Sequence, residues 1–140
     1  MERDEYVDRV RAAYKALDAG RFDAAFDGLD EDVVMHIAGD HPLSGTYRGK
    51  EGIRTYVDAL EEATEGTSGF TVLSVMVDEA AERVLVEGTA YTGREHPFVR
   101  TMVHQLRFDG GRVVEVWQRP FDQAAEDKFW RRQVPPQREP

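Results

Sequence analysis

The chain has 140 residues, of which 41% are hydrophobic and 32% charged, a composition typical of one globular domain. Its formal charge of −9 disfavours a nucleic-acid partner, and its lack of cysteine excludes disulfides, thiolate nucleophiles and Cys–zinc sites. No apolar run approaches the roughly 20 residues of a membrane span, and the N-terminus has no secretory signal, so we expect a cytoplasmic protein with no membrane partner.

The first half of the chain has mainly helical periodicity. Val7, Val10, Tyr14 and Leu17 form one apolar stripe, which predicts a helix over residues 3 to 18 that ends before Gly20. Four further segments are predicted from the same kind of pattern: a short helix around 22–29, a strand at 33–37, a loop rich in glycine at 38–49 and a helix at 50–64. The acidic run 27–32 is expected to be a solvated turn.

The second half alternates like β-strands. Four strands are predicted, at residues 70–77, 84–91, 98–108 and 112–119, with a hairpin at 109–111. A short helix is predicted from Asp122 to Trp130, and residues 133–140, which hold three of the six prolines, are expected to be a disordered tail. Helices followed by antiparallel strands predict a single α+β domain over residues 1–132, with helices packed on one face of a curved sheet.

The strand at 98–108 puts polar side chains on an apolar face. Alternate strand residues share a face, and here one face carries Phe98, Arg100, Met102, His104, Leu106 and Phe108. Burying an unpartnered polar group costs about 1–3 kcal/mol. The face is therefore interpreted as the wall of a ligand pocket, with His104 inside it and Arg100 either binding an anionic group or lying at the open rim.

Several segments, in their order and spacing, resemble one protein family. They are Ala16–Gly20, Val34–Gly49, Val113–Trp117 and Asp127–Trp130, together with Asp122. Over about residues 5 to 131 the chain resembles the nuclear-transport-factor-2-like superfamily, in particular its SnoaL-like and ketosteroid-isomerase-related members. The resemblance implies an NTF2-like cone, in which three helices of the N-terminal half pack in a strongly bent antiparallel sheet. It also implies an apolar pocket and a homodimer formed through the open sheet face.

The resemblance also marks candidate functional positions. Where steroid isomerases of the superfamily carry two carboxyl groups, this chain has His36 and His104, and their helix-one tyrosine falls near Ala13, with Tyr14 one place along. Isomerisation by the usual mechanism of those enzymes is therefore not expected. Asp122 resembles the aspartate base of SnoaL-like cyclases, although an aspartate before a helix is equally typical of an N-cap.

These residues predict a small-molecule pocket enzyme that isomerises, cyclises, hydrates or dehydrates a small apolar substrate by acid–base chemistry, without a cofactor or metal. The expected catalytic residues are His36, His104 and Asp122, because neutral imidazoles can take and return protons near neutral pH. The expected substrate-binding residues are Tyr14, Tyr56, Met102, Val116 and Gln118. The alternative is a non-catalytic ligand-binding or dimeric scaffold module, in which the two histidines are structural.

Overall fold

The computed structural model describes residues 1–134, which form four helices and six strands. In chain order the elements are α1 (Arg3–Asp18), α2 (Phe22–Phe26), β1 (Leu29–Ile37), β2 (Gly45–Arg48), α3 (Gly49–Thr64), β3 (Gly69–Asp78), β4 (Arg83–Thr92), β5 (Phe98–Asp109), β6 (Arg112–Pro120) and α4 (Gln123–Gln133). Of the predicted tail, Gln133 belongs to α4, and residues 135–140 lie outside the described residues. Among residues 1–134, no helix is both long and apolar enough to cross a membrane.

All six strands form one sheet in the order β2-β1-β6-β5-β4-β3. Four of the five pairings are antiparallel, and β1 pairs with β6 in parallel. The parallel pairing is possible because α3 and four strands lie between β1 and β6 in the chain, which is ample length for a crossover. The α+β fold with three helices in the N-terminal half is confirmed, and α4 follows the last strand.

The core lies between the helices and one face of the sheet. On α3 the buried residues Ile53, Tyr56 and Val57 are spaced i, i+3 and i+4, so they share one stripe of the helix. On β1 the alternation of Val33, Met35 and Ile37 places all three on the same buried face. We call this helix-covered side of the sheet the inner face, and the opposite side the outer face.

The sheet is more extensive at its β1–β2 edge than the sequence predicts. β1 begins at Leu29, so the end of the acidic run is strand and not a solvated turn. Arg112 Nη2 donates to the backbone oxygens of Asp27 and Leu29, which extends the contact between β1 and β6. β2 lies in the predicted loop and has four residues at the edge of the sheet. A short, largely exposed edge strand lacks the apolar alternation that sequence reading requires.

Small residues on β4 leave room beneath the helices. Gly88 and Ala90 face inward and pair with Met102 and Arg100 of β5. The Phe70 ring lies over Gly88, where a Cβ atom would come within 2.3 Å of Phe70 Cζ and 2.7 Å of the Thr71 backbone oxygen. The absence of a side chain at residue 88 is therefore what allows Phe70 to pack against the middle of the sheet.

Replacing Gly88 by alanine should consequently disturb this packing. We expect Gly88→Ala to lower the free energy of unfolding by about 1–3 kcal/mol, because the added methyl group overpacks against an aromatic ring and a backbone oxygen. Urea denaturation would measure the change. Gly28→Ala is the matched control, since a Cβ atom at Gly28 meets nothing within 4 Å. Equal effects of the two substitutions would contradict the packing argument.

Candidate functional site

A cavity of about 350 Å³ lies between the inner face of the sheet and helices α1 and α3. Its walls are largely apolar, as expected of a small-molecule pocket. Six of the eight site residues predicted from the sequence line it: Tyr14, Tyr56, Met102, His104, Val116 and Gln118. They come from α1, α3, β5 and β6, so the cavity is assembled from segments far apart in the sequence.

His104 is the most unusual group in the cavity wall. Its side chain is buried, with 6% of the residue exposed. Nδ1 of His104 lies 2.7 Å from the Tyr14 hydroxyl, and the Phe70 ring stacks on the imidazole at a centroid distance of 4.5 Å. Nε2 of His104 is buried and has no hydrogen-bond partner among the residues that the structure describes. Buried polar atoms are normally hydrogen-bonded, so this nitrogen is an exception that requires an explanation.

Burial keeps both members of this pair uncharged at neutral pH. It lowers the pKa of His104 from its ordinary 6.5 to about 4, because an imidazolium would lose its hydration. Burial also raises the pKa of Tyr14 well above the usual value of a phenol. A neutral imidazole carries one proton, on either nitrogen, and the other nitrogen is free to accept a proton.

Gln118 and Tyr56 lie beside His104. Gln118 of β6 is directly opposite His104 of β5 in the antiparallel ladder. The Tyr56 hydroxyl donates to Gln118 Oε1 over 3.5 Å, and Gln118 Nε2 approaches Met35 Sδ at 3.9 Å. Burial raises the pKa of Tyr56, so its hydroxyl remains protonated. Gln118 Nε2 therefore keeps donor capacity close to the imidazole, and the single Tyr56 O–H is engaged only in a long hydrogen bond.

A buried ion pair borders the cavity further along β5. Arg100 donates through Nε and Nη2 to the two carboxylate oxygens of Glu126, at 2.9 and 3.0 Å, and only 11% of the Arg100 side chain is exposed. Trp130 Nε1 donates to the same carboxylate, which joins α4 to the sheet. Arg100 is thus paired inside the fold and does not lie in water at a rim. Sequence reasoning missed Glu126, although its i, i+4 spacing from Trp130 marks the buried side of α4.

His36 lies on the other side of the sheet. His36 pairs with Trp117 of β6, whereas His104 pairs with Gln118, and consecutive residues of a strand point to opposite faces. His36 Nε2 is 2.7 Å from Glu115 Oε2, and the imidazole stacks on the Trp117 ring. The expectation that His36 and His104 meet in one hollow is therefore wrong.

The alternation of β1 explains this error. Val33, Met35 and Ile37 all occupy the inner face, so His36 between the last two has to point outward. The same alternation, applied to β1 as it was to β5, could have shown this from the sequence.

Asp122 is exposed and caps α4. Its Oδ1 accepts a hydrogen bond from the Ala125 backbone N–H at 3.0 Å, and it does not contribute to the cavity wall that the described residues form. The N-cap alternative therefore accounts for its side chain, and the structure does not bring Asp122 together with His104.

Comparisons with known proteins agree with this architecture. The model of the SnoaL-like domain matches residues 10–116. An uncharacterized protein of Mycobacterium tuberculosis, Rv0034, is 22% identical over 130 residues, which cover 93% of this chain and 99% of that protein.

Two solved structures are similar in fold. Bal32a, from a soil-derived mobile gene cassette, has a TM-score of 0.85 and 24% identity, covering 91% of this chain and 98% of its own. IdmH, a putative polyketide cyclase from Streptomyces antibioticus, has a TM-score of 0.68 and 23% identity, covering 86% of this chain and 96% of its own. The match over residues 10–116, which is more than half of the chain, shows that this chain belongs to the SnoaL-like domain family.

Proposed function

We propose that this protein is a cofactor-free enzyme that moves a proton on a small, largely apolar carbonyl compound, with isomerisation, cyclisation or the addition or loss of water as the result. The observation that carries the proposal is the unpartnered, buried Nε2 of His104 in the wall of an apolar cavity. Such a nitrogen costs about 1–3 kcal/mol of stability when it stays unpaired. A ligand that pairs with it would remove this cost.

His104 has the properties of a general base in this setting. In the tautomer with the proton on Nδ1, the Nδ1–H donates to the Tyr14 oxygen and Nε2 presents a lone pair. Nε2 then takes a proton from the carbon beside the carbonyl group, and the electrons of the C–H bond move onto the carbonyl oxygen. The protonated Nε2 returns the proton to a different carbon or to a departing hydroxide. Each cycle leaves His104 neutral, as it began.

The family supports a reaction of this class. IdmH, which shares the fold, is a putative polyketide cyclase, and cyclisation is one outcome of forming an enol or enolate. A shared fold alone does not define a reaction. The proposal for this chain therefore depends on its own residues at the cavity, His104 and Tyr14.

A second candidate function is ligand binding without catalysis. One observation favours it: a pKa of about 4 makes His104 a weak base. In addition, within residues 1–134, the only side chain that hydrogen-bonds to His104 is that of Tyr14. The same cavity would then sequester a small molecule through one hydrogen bond and apolar contacts.

Proton exchange on a simple ketone separates these two functions. With 2-tetralone in D2O, we expect the wild type to accelerate exchange of the α-protons, as followed by ¹H NMR. His104→Leu should lose this acceleration, since general-base catalysis contributes about 10²- to 10⁴-fold. His36→Leu is the matched control and should keep the wild-type rate, because His36 lies on the outer face. Binding of the ketone without exchange would favour the second candidate, and an unaltered rate in His104→Leu would refute the role of His104.

The proposed role also requires a neutral His104, which makes stability depend on pH. Between pH 6.5 and about 4 the unfolded chain binds a proton at His104 that the folded chain does not, so the free energy of unfolding falls as the pH falls. The wild type should therefore lose about 3 kcal/mol more than His104→Leu between pH 7 and 4. Urea denaturation at a series of pH values would measure this, with His96→Leu, in an exposed loop, as the control. Parallel curves for the wild type and His104→Leu would show that burial does not hold His104 neutral.

We also propose that the protein is a homodimer formed through the outer face of the sheet. Met76 pairs with Leu85 across β3 and β4, and Leu85 is followed by Gln105 and Trp117 on the next two strands, in one continuous row. Met76 and Leu85 are exposed, with 48% and 37% of their surfaces accessible, as expected of a face that a partner covers.

A charge placed in this row should prevent association. We expect Leu85→Lys to convert a dimer into a monomer in sedimentation velocity, because the lysine would have to lose its hydration in the interface. Phe121→Lys is the control, since Phe121 is exposed beyond the last strand, at 66%, and is not part of the row. A wild type that sediments as a monomer would reject the dimer proposal.

A further inference from the structure

We infer that Tyr56 and Gln118 form the binding site for the ligand's carbonyl oxygen, next to His104, and that the ligand class is neutral ketones and their enols. This inference rests on the proposed function of the same cavity. It adds the atoms that hold the oxygen on which negative charge develops. It also excludes carboxylates from the class of substrates.

The first observation is the position of Gln118. Gln118 and His104 are direct cross-strand partners on the inner face, and the Cβ atoms of such pairs are about 4.5–5.5 Å apart. The amide and the imidazole therefore project side by side into the same cavity. A ligand's carbonyl oxygen and its α-carbon can therefore contact the two side chains at once.

The second observation is that the polar groups of Tyr56 and Gln118 have poor partners. Their mutual hydrogen bond is long, at 3.5 Å, and Gln118 Nε2 finds only the Met35 sulfur, at 3.9 Å, as an acceptor among the described residues. Gln118 is partly buried and Tyr56 is buried, and polar groups withdrawn from water usually have better partners than these. Together with His104 Nε2, this makes three neighbouring groups with unused hydrogen-bonding capacity in one cavity wall.

The third observation concerns charge. The Arg100 guanidinium, which also borders the cavity, is already paired with both carboxylate oxygens of Glu126. Asp18 and Glu61 are further lining residues with carboxylates, and the second lining cation, Arg9, is paired with Glu5. A carboxylate ligand would find no unpaired cation at Tyr56 and Gln118, whereas a neutral carbonyl oxygen needs only the N–H and O–H donors present there.

These donors complete the proposed proton transfer. When Nε2 of His104 removes the α-proton, the C–H electron pair becomes the carbon–carbon π bond of an enolate, and the carbonyl π electrons move to the oxygen. Gln118 Nε2–H donates to that oxygen, and the Tyr56 O–H exchanges its long bond to Gln118 Oε1 for a bond to the same oxygen. Tyr56 stays protonated throughout, because burial disfavours its phenolate. Donors fixed before the reaction stabilise such an oxyanion more than the ground-state ketone.

The test uses Gln118→Met, which keeps the side-chain length but removes the amide, and Tyr56→Phe. We expect Gln118→Met to lower α-proton exchange of 2-tetralone about 100-fold, as for the loss of one oxyanion donor. Its affinity for tetralin, which lacks the oxygen, should not change in calorimetry. Its melting temperature should stay the same or rise, because a poorly bonded and partly buried amide is removed. Tyr56→Phe should act in the same direction on exchange.

Gln105→Met is the matched control, because Gln105 lies on β5 but on the outer face, opposite Trp117. This inference would be overturned if Gln118→Met and Tyr56→Phe both bound and exchanged the ketone normally while His104→Leu lost exchange. The proposed function would then still stand. Ketone binding that depends on Gln118 without any exchange would support the oxygen site and reject catalysis. Tighter binding of tetralin-2-carboxylate than of 2-tetralone would overturn the substrate class. Failure of the wild type to bind the ketone would reject both proposals.

Discussion

The role assigned to each site residue of this protein depends on which side of the single sheet its side chain faces. Alternate residues of a strand face opposite sides, so Trp117 and Gln118, adjacent in the chain, belong to different surfaces. His104 pairs with Gln118 and faces the cavity with it, whereas His36 pairs with Trp117 and faces the outer side of the sheet. The two histidines thus have separate environments: an apolar wall for His104, and for His36 a half-exposed network with Glu115, which Arg107 also contacts.

Small residues on the inner face of β4 shape one part of the cavity wall. Gly88 and Ala90 fill little space opposite Met102 and Arg100, and Phe70 occupies the notch above Gly88 while it stacks on His104. Protein interiors are normally close-packed, so a cavity of about 350 Å³ with polar atoms in its wall favours a site for a ligand. The same stacking that completes the wall also excludes water from the imidazole and keeps it neutral.

Buried polar groups in this fold divide into two kinds. Arg100 and Glu126 satisfy one another, and with Trp130 they join α4 to the sheet. His104 Nε2 has no partner among the described residues, and Tyr56 and the partly buried Gln118 share only a long hydrogen bond, at a cost to stability that a purely structural core would avoid. The first kind accounts for the architecture, and the second kind is the basis for proposing a function.

The sequence by itself determined the helices α1 and α3, the four long strands β3 to β6 and the fold family, because these depend on local periodicity and on the order of segments. It also determined that His104 shares an apolar face with Met102. Only the tertiary structure decided which residues meet across elements: the Tyr14–His104 hydrogen bond and the pairing of Arg100 with Glu126. The existence of β2 also became evident only in the structure, because a short edge strand is recognised by its pairing with the neighbouring strand. Contacts between distant segments depend on register and packing, which no local pattern of residues encodes.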